Sequence, residues 1–143
     1  MAHFEISVVI PASPTEVWDD ISQLASHQEW MSDAESINFI GERTSGVGTI
    51  MEVITKVGPF RTTDLLEFTA WDPPLAMTVA HRGAFEGHGA FELEADGNAS
   101  TRLRWREQLR FPWYFAGPLG ARMAAPILRR IWRANLRRLA ARF

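Results

Sequence analysis

Alternating positions open the chain: Phe4, Ile6, Val8 and Ile10 point one way, His3, Glu5, Ser7 and Val9 the other. A period of two predicts a half-buried strand over 3–10. Pro11 stops it, and Ser13-Pro14-Thr15-Glu16 predicts a helix start. Ser13 is placed to cap, Pro14 fits the first turn, and Glu16 can reach back to the cap amide. Val17, Trp18, Ile21 and Leu24 supply the buried side of that short helix. Ser26-His27-Gln28-Glu29 repeats the capping pattern ahead of Trp30 and Met31, so two short helices are expected in tandem. Strands are then expected near 35–41, 48–57, 60–71, 75–82, 85–95 and 99–109. Between them stand Gly46-Val47-Gly48, Gly58-Pro59, Asp72-Pro73-Pro74, Gly83-Ala84 and Asp96-Gly97-Asn98, turn sequences of hairpin type. Such short connections imply an antiparallel meander.

The period changes after Phe111-Pro112. From Trp113 to Phe143, at about 100° per residue, the positions Met123, Ile127, Leu128, Ile131, Trp132, Leu136, Leu139 and Phe143 gather on one broad side. Arg122, Arg129, Arg130, Arg133 and Arg137 gather on the other. A helix of that length reaches about 45 Å, so it must lie against something wide, and everything upstream reads as sheet. Pro118 and Pro126 place its true start near Leu119 or a kink at Pro126. Asn135 sits among the apolar positions, where a leucine would pack more cheaply.

Strand parity decides which groups face that helix. The inward sets are Met51, Val53, Thr55 and Val57; Leu75, Met77, Val79 and His81; Phe85, Gly87, Gly89, Phe91 and Leu93; and Thr101, Leu103, Trp105, Glu107 and Leu109. Residues 60–71 do not resolve, because Leu66, Phe68 and Asp64 share one parity while Leu65 and Trp71 share the other. The inner surface is thus mostly apolar, with His81, Glu107 and Asn135 as its polar groups. Gly87 and Gly89 leave gaps in the side-chain layer. A sheet gripping a helix over missing side chains makes room for a cavity.

Composition narrows the classes. The 143 residues are 46% hydrophobic and 22% charged, ordinary values for a globular chain and enough for one domain, 1–143, that buries roughly 68% of its unfolded surface. Without cysteine there is no disulfide and no thiolate chemistry. The start Met1-Ala2-His3-Phe4 carries no basic segment and no continuous apolar run, and no stretch approaches a membrane span, so a cytoplasmic address is expected. The net charge of −2 hides an asymmetry: all 17 acidic residues lie at or before Glu107, while eight of the 14 arginines lie between Arg110 and Arg142. The arginine face either meets phosphate, a membrane surface, a partner or RNA, or is a solvated face paired with acids on neighbouring elements.

Few groups are placed for chemistry. Glu107 is a carboxylate on an apolar face, suited to a general base next to a ketone, or else paired with solvent, Arg61 or Arg138. His81 is a candidate acid–base partner, and the Asn135 amide a candidate donor to a ligand oxygen, or else a structural hydrogen bond. Tyr114 falls in the loop before the long helix, either at a cavity mouth or as a satisfied edge residue, the reading favoured there. Trp18, Trp71, Trp105 and Trp132 fall on apolar sides as core or cavity wall, whereas Trp30 and Trp113 lie near connections and could gate an entrance. A stacking platform for nucleic acid is not expected from tryptophans so placed. His81 and His88 face opposite sides of a sheet, and no zincin, dinucleotide, phosphate-loop or nucleophile-elbow pattern occurs, so neither metal nor cofactor is expected.

Several stretches carry a family resemblance: Ala12-Ser13-Pro14-Thr15-Glu16-Val17-Trp18, Glu29-Trp30-Met31, Gly46-Val47-Gly48, and Glu67-Phe68 with Asp72-Pro73-Pro74. Phe91-Glu92-Leu93-Glu94, Thr101-Arg102-Leu103-Arg104-Trp105-Arg106-Glu107 and Asn135-Leu136-Arg137-Arg138-Leu139 continue it in order along nearly the whole chain. The chain resembles the polyketide cyclase/dehydrase and lipid-transport family within the START/Bet v 1-like helix-grip superfamily. The resemblance implies an α+β fold: one strand, two short helices, six more strands and a long C-terminal helix roofing a hydrophobic cavity. It carries over no universal catalytic set. The expected activity is binding of a lipid-like or polycyclic molecule, as a carrier. The ligand-binding candidates are Met51, Val53, Met77, Val79, His81, Gly87, Gly89, Phe91, Leu103, Trp105, Glu107, Met123, Ile127, Ile131 and Asn135. The alternatives are a cofactor-free cyclase or dehydratase using Glu107 and His81, and an interaction protein using the arginine face. A monomer or homodimer is expected.

Overall fold

The computed structural model describes residues 1–143. The opening alternation forms β1 (Ala2–Ile10), and Ser13 Oγ accepts from the Glu16 amide at 3.2 Å to start α1 (Pro14–Ile21). A 3₁₀ turn at Leu24–Ser26 leads into α2, which is only His27–Trp30. Ser26 does not cap it. Its hydroxyl donates to the Gln23 carbonyl at 2.6 Å, closing the preceding turn, so the second capping pattern is spent locally. Six strands follow: β2 (Ala34–Ile40), β3 (Ile50–Val57), β4 (Phe60–Asp72), β5 (Ala76–Arg82), β6 (Glu86–Ala95) and β7 (Thr101–Arg110). They form one seven-stranded antiparallel sheet in the order β1-β7-β6-β5-β4-β3-β2, a meander closed by β1 on β7.

Two bulges reset the parity, one in β2 between Ala34 and Ser36 and one in β4. In β4, Phe68 pairs with Val79 and Ala70 with Thr78, so Thr69 is the extra residue. Trp71 therefore returns to the face of Phe68, where it packs edge-on against Phe68 at 5.5 Å and Trp18 at 5.3 Å. The expectation that Trp71 points with Leu65 is corrected by that one residue. Leu75, expected inside, precedes β5 and is exposed.

The long helix α3 spans Gly117–Ala140, starting two residues before the expected Leu119. Trp113–Phe115 is a separate 3₁₀ turn, cut off by Ala116 and Gly117, both at positive φ. Helix begins only at Gly117, with Pro118 in its first turn and Pro126 carried inside it. Against β1 and α2 it buries Trp132, Leu136 and Leu139. With Ile10, Val17, Ile21, Leu24 and Leu103 they make a solid core at one end of the sheet. Trp30, expected near an entrance, belongs to it at 1% exposure.

Candidate functional site

The other end of the sheet is hollow. A cavity of about 650 Å³ lies between the inner face of β3–β7 and the N-terminal half of α3. Its wall takes Met51, Val53, Thr55 and Val57 from β3, Met77, Val79 and His81 from β5, and Gly89 and Phe91 from β6. Trp105 and Glu107 come from β7, and Met123, Ile127, Leu128 and Trp132 from α3. Four wall residues are also largely exposed: Met123 at 69%, Phe60 at 58%, Tyr114 at 57% and Ile127 at 56%. They mark a mouth between the β3–β4 hairpin and the start of α3, with Tyr114 there rather than a satisfied edge residue. Phe115 joins the two sides, its ring 5.8 Å from Phe60 and 5.4 Å from Phe85. Trp113 is exposed and off the wall.

Of the predicted site residues, Gly87, Leu103, Ile131 and Asn135 lie off the cavity wall. Leu103 is in the solid core, and Ile131 is half-buried alongside it. Gly87 has φ +152, and a Cβ there would meet the Gln108 carbonyl oxygen at 1.7 Å, so it serves strand packing. Asn135 is a clamp rather than a ligand donor. Its Nδ2 donates to Asp33 Oδ1 at 2.8 Å, and its Oδ1 accepts from the Ser32 amide at 3.1 Å and from Arg138. Trp132 Nε1 donates to the other Asp33 oxygen at 3.2 Å, so one carboxylate at the start of β2 holds two successive turns of α3.

Glu107 meets neither Arg61 nor Arg138. Its Oε2 accepts from His81 Nε2 at 2.7 Å and its Oε1 from Trp105 Nε1 at 2.8 Å. The pair spans two strands: His81 is on β5 and Glu107 on β7, with Gly89 of β6 beside both. A Cβ on Gly89 would sit 2.6 Å from each carboxylate oxygen. The gap read from the sequence is therefore filled by Glu107, which crosses β6 through it. Burial works against a charge on His81, but the Glu107 hydrogen bond and the Glu107 and Asp64 charges outweigh it and raise the imidazole above its ordinary value. A protonated His81 beside an ionised Glu107 is the arrangement these partners favour.

Asp64 completes the polar corner and was missed as a site residue. It lines the wall from β4, and burial raises its carboxyl above the usual range, against the His81 charge and the Phe85 amide. The available signal was its parity with Leu66 and Phe68, hidden by the Thr69 bulge. His27 also reaches the wall, its Nε2–H donating to the Ile21 carbonyl at 2.7 Å. No group of three or more His, Asp or Glu side chains is arranged to hold a metal ion. No helix is long and apolar enough to cross a membrane. On α3, Arg122, Arg130, Arg133 and Arg137 have no carboxylate partner, and the pairing expected of that face is confined to Arg142, just beyond the helix, with Asp20 and Glu29.

The model of the family described as polyketide cyclase/dehydrase and lipid transport matches residues 1–143. The chain belongs to this family. An uncharacterized protein of Mycobacterium tuberculosis is 28% identical over 129 residues, covering 89% of each chain. Among solved structures, TTHA0849 from Thermus thermophilus superposes with a TM-score of 0.81 at 18% identity, covering 99% of this chain and 96% of its own. The Zhui aromatase/cyclase of a Streptomyces species gives 0.79 at 15%, covering 99% and 92%. A START superfamily protein from Mycobacterium smegmatis gives 0.75 at 13%, covering 99% of each. At such identities these three establish the shared helix-grip fold, the one the family resemblance implied.

Proposed function

We propose that this family member binds a hydrophobic small molecule, lipid-like or polycyclic, between the sheet and α3, and carries it. The observation behind this reading is the cavity: apolar on nearly every side, of ligand size, and open at a mouth ringed by exposed Phe60, Tyr114, Met123 and Ile127. A guest burying ~300 Å² of apolar surface gains on the order of 7 kcal/mol before the cost of immobilisation. His81 and Glu107 give one polar corner by which such a guest is oriented.

Native mass spectrometry of the purified chain, beside Val79→Trp, tests this. Val79 is half-buried on the wall, so the indole fills space rather than displacing core. The wild type is expected to retain or take up an apolar ligand, and the filled variant to fold and lose it. A folded Val79→Trp that binds equally well would put the ligand elsewhere.

A cofactor-free cyclase is the second reading, favoured by the His81–Glu107 pair inside the cavity and in keeping with the aromatase/cyclase that shares the fold. Each Glu107 oxygen accepts one hydrogen bond and keeps a second lone pair, so the carboxylate could still take a proton from a substrate. Turnover of a poly-β-ketone by the wild type, lost in Glu107→Gln, would establish that reading over simple carriage.

A further inference from the structure

We propose that the Asp64–His81 corner of the cavity seats a hydroxyl group of an otherwise apolar, ring-bearing ligand, which accepts from His81 Nδ1–H and donates to Asp64. This rests on the cavity-binding reading above and names the chemistry the guest must carry. Four buried side-chain atoms have no hydrogen-bond partner: Trp30 Nε1, Ser36 Oγ, His81 Nδ1 and Asp64 Oδ1. Only the last two belong to residues of the cavity wall. An unpaired buried polar atom is costly, and two in one corner call for a common partner.

Their positions allow it. Leu66 pairs with His81, so Asp64, two residues along on the same face, is the diagonal neighbour of His81. Such neighbours stand roughly 7 Å apart at the backbone, within the span of one oxygen between two side chains. Gly83 leaves room for that oxygen, since a Cβ there would lie 2.9 Å from Asp64 Oδ1. With Nε2 committed to Glu107, Nδ1 is the ring nitrogen left unpaired, and the Glu107 and Asp64 charges favour the proton that makes it a donor. Of the other buried polar groups on the wall, His27 bonds Ile21, while Asp33 holds Trp132 and Asn135.

The ligand chemistry follows from what this corner rejects. A carboxylate would meet Asp64 and Glu107 as like charges, and a protonated amine offers Nδ1–H no acceptor. A carbonyl oxygen satisfies both groups only when Asp64 is protonated. A hydroxyl satisfies both in either state of Asp64, because it accepts and donates at once.

The matched pair 9-phenanthrol and 9-methylphenanthrene tests the seat by titration against tryptophan fluorescence, since Trp105 and Trp132 stand on the wall. A cavity without a seat favours the methyl compound, because the hydroxyl forfeits its bonds to water. The wild type is expected to bind the phenol about tenfold tighter, and Asp64→Leu and His81→Phe to lose that preference while still binding the methyl compound. The wild-type comparison stands even where His81→Phe fails to fold. Equal or tighter binding of the methyl compound by the wild type, or an unchanged preference in Asp64→Leu, overturns the hydroxyl seat and leaves the cavity reading intact. Failure of both compounds to bind overturns both.

Discussion

Acid should weaken this fold through His27. Its ring is buried, 4% exposed, and donates to the Ile21 carbonyl, with Trp30 and Phe91 centroids at 5.1 and 5.8 Å. Burial, partly offset by that hydrogen bond and by Asp20, pushes the imidazole down from 6.5 to about 4. Between those values the unfolded chain binds the proton and the folded chain does not. The stabilisation is complete above pH 6.5, falls as the pH drops towards 4, and is lost below it. At about 1.4 kcal/mol per pH unit the whole effect is about 3 kcal/mol, of which about 2 kcal/mol is gone by pH 5. His81 works in the opposite sense: its raised value adds stability that is present below 6.5 and lost as the pH rises through the folded value. The wild type alone would mix the two, so the measurement is a comparison with His27→Gln, whose amide can still donate to Ile21. Urea unfolding at pH 7.5 and pH 5.0, followed by tryptophan fluorescence, gives the midpoints. With a slope of about 2 kcal/mol per molar urea for a chain of this size, the wild-type midpoint should fall about 1 M further than that of the variant. If the two midpoints move together, the enclosed neutral imidazole is not what acid attacks.

Three other outcomes follow from the geometry. Glu107→Gln removes the negative partner of His81, and imidazole NMR should show His81 titrating at lower pH than in the wild type; an unmoved titration would mean that Glu107 does not hold the charge. Asn135→Ala strands Asp33 and the Ser32 amide, so denaturant unfolding should report a loss of about 2–3 kcal/mol, non-additive with Asp33→Ala. Hydrogen exchange should be slower at Trp132–Leu139 than at Gly117–Leu128, and an apolar ligand should slow mainly the second group; uniform protection along α3 would contradict a helix clamped at one end.

Some of this was written plainly in the chain, and the reasons for the rest are local. β3 carries no bulge beyond Ile50, so parity puts Met51, Val53, Thr55 and Val57 on the wall in sequence as in space. The same regularity in β5 and β7 puts His81 and Glu107 on one face. One added residue, Thr69, defeats parity in β4 and hides both Trp71 and Asp64. Ser26 misled because a capping residue names a bond, not its partner, and a turn carbonyl lay nearer. Gly89 was read as empty space, yet a glycine beside a longer side chain from the next strand is as often a passage for it. Asn135 was legible as an anomaly but not as a clamp, since its partners Asp33 and Ser32 are about a hundred residues away and lie in a turn with no periodicity of its own.

The division between a solid end and a hollow end explains how the fold tolerates missing packing. Interior voids destabilise in proportion to their size when they are closed in a core, but this one lies outside the set that holds the chain together. Ile10, Val17, Ile21, Leu24, Leu103, Leu136 and Leu139 are essentially fully buried, and each contributes about 1.5–3 kcal/mol. The same end holds the Asp33 clamp on Asn135 and Trp132, and Arg142 bidentate on Asp20 at 2.8 and 2.9 Å. The N-terminal half of α3 has no such tie: Met123 and Ile127 stay exposed over the cavity, and the aromatic contacts of Phe115 with Phe60 and Phe85 bridge the mouth. A guest entering there displaces little that stability depends on, and gains the apolar contacts that α3 leaves unmade. The polar corner costs more, since Glu107 is buried and His81 and Asp64 half-buried where leucines would pack. It lies in the hollow end, away from every tie that holds the helix, which is where the proposed hydroxyl seat would use it.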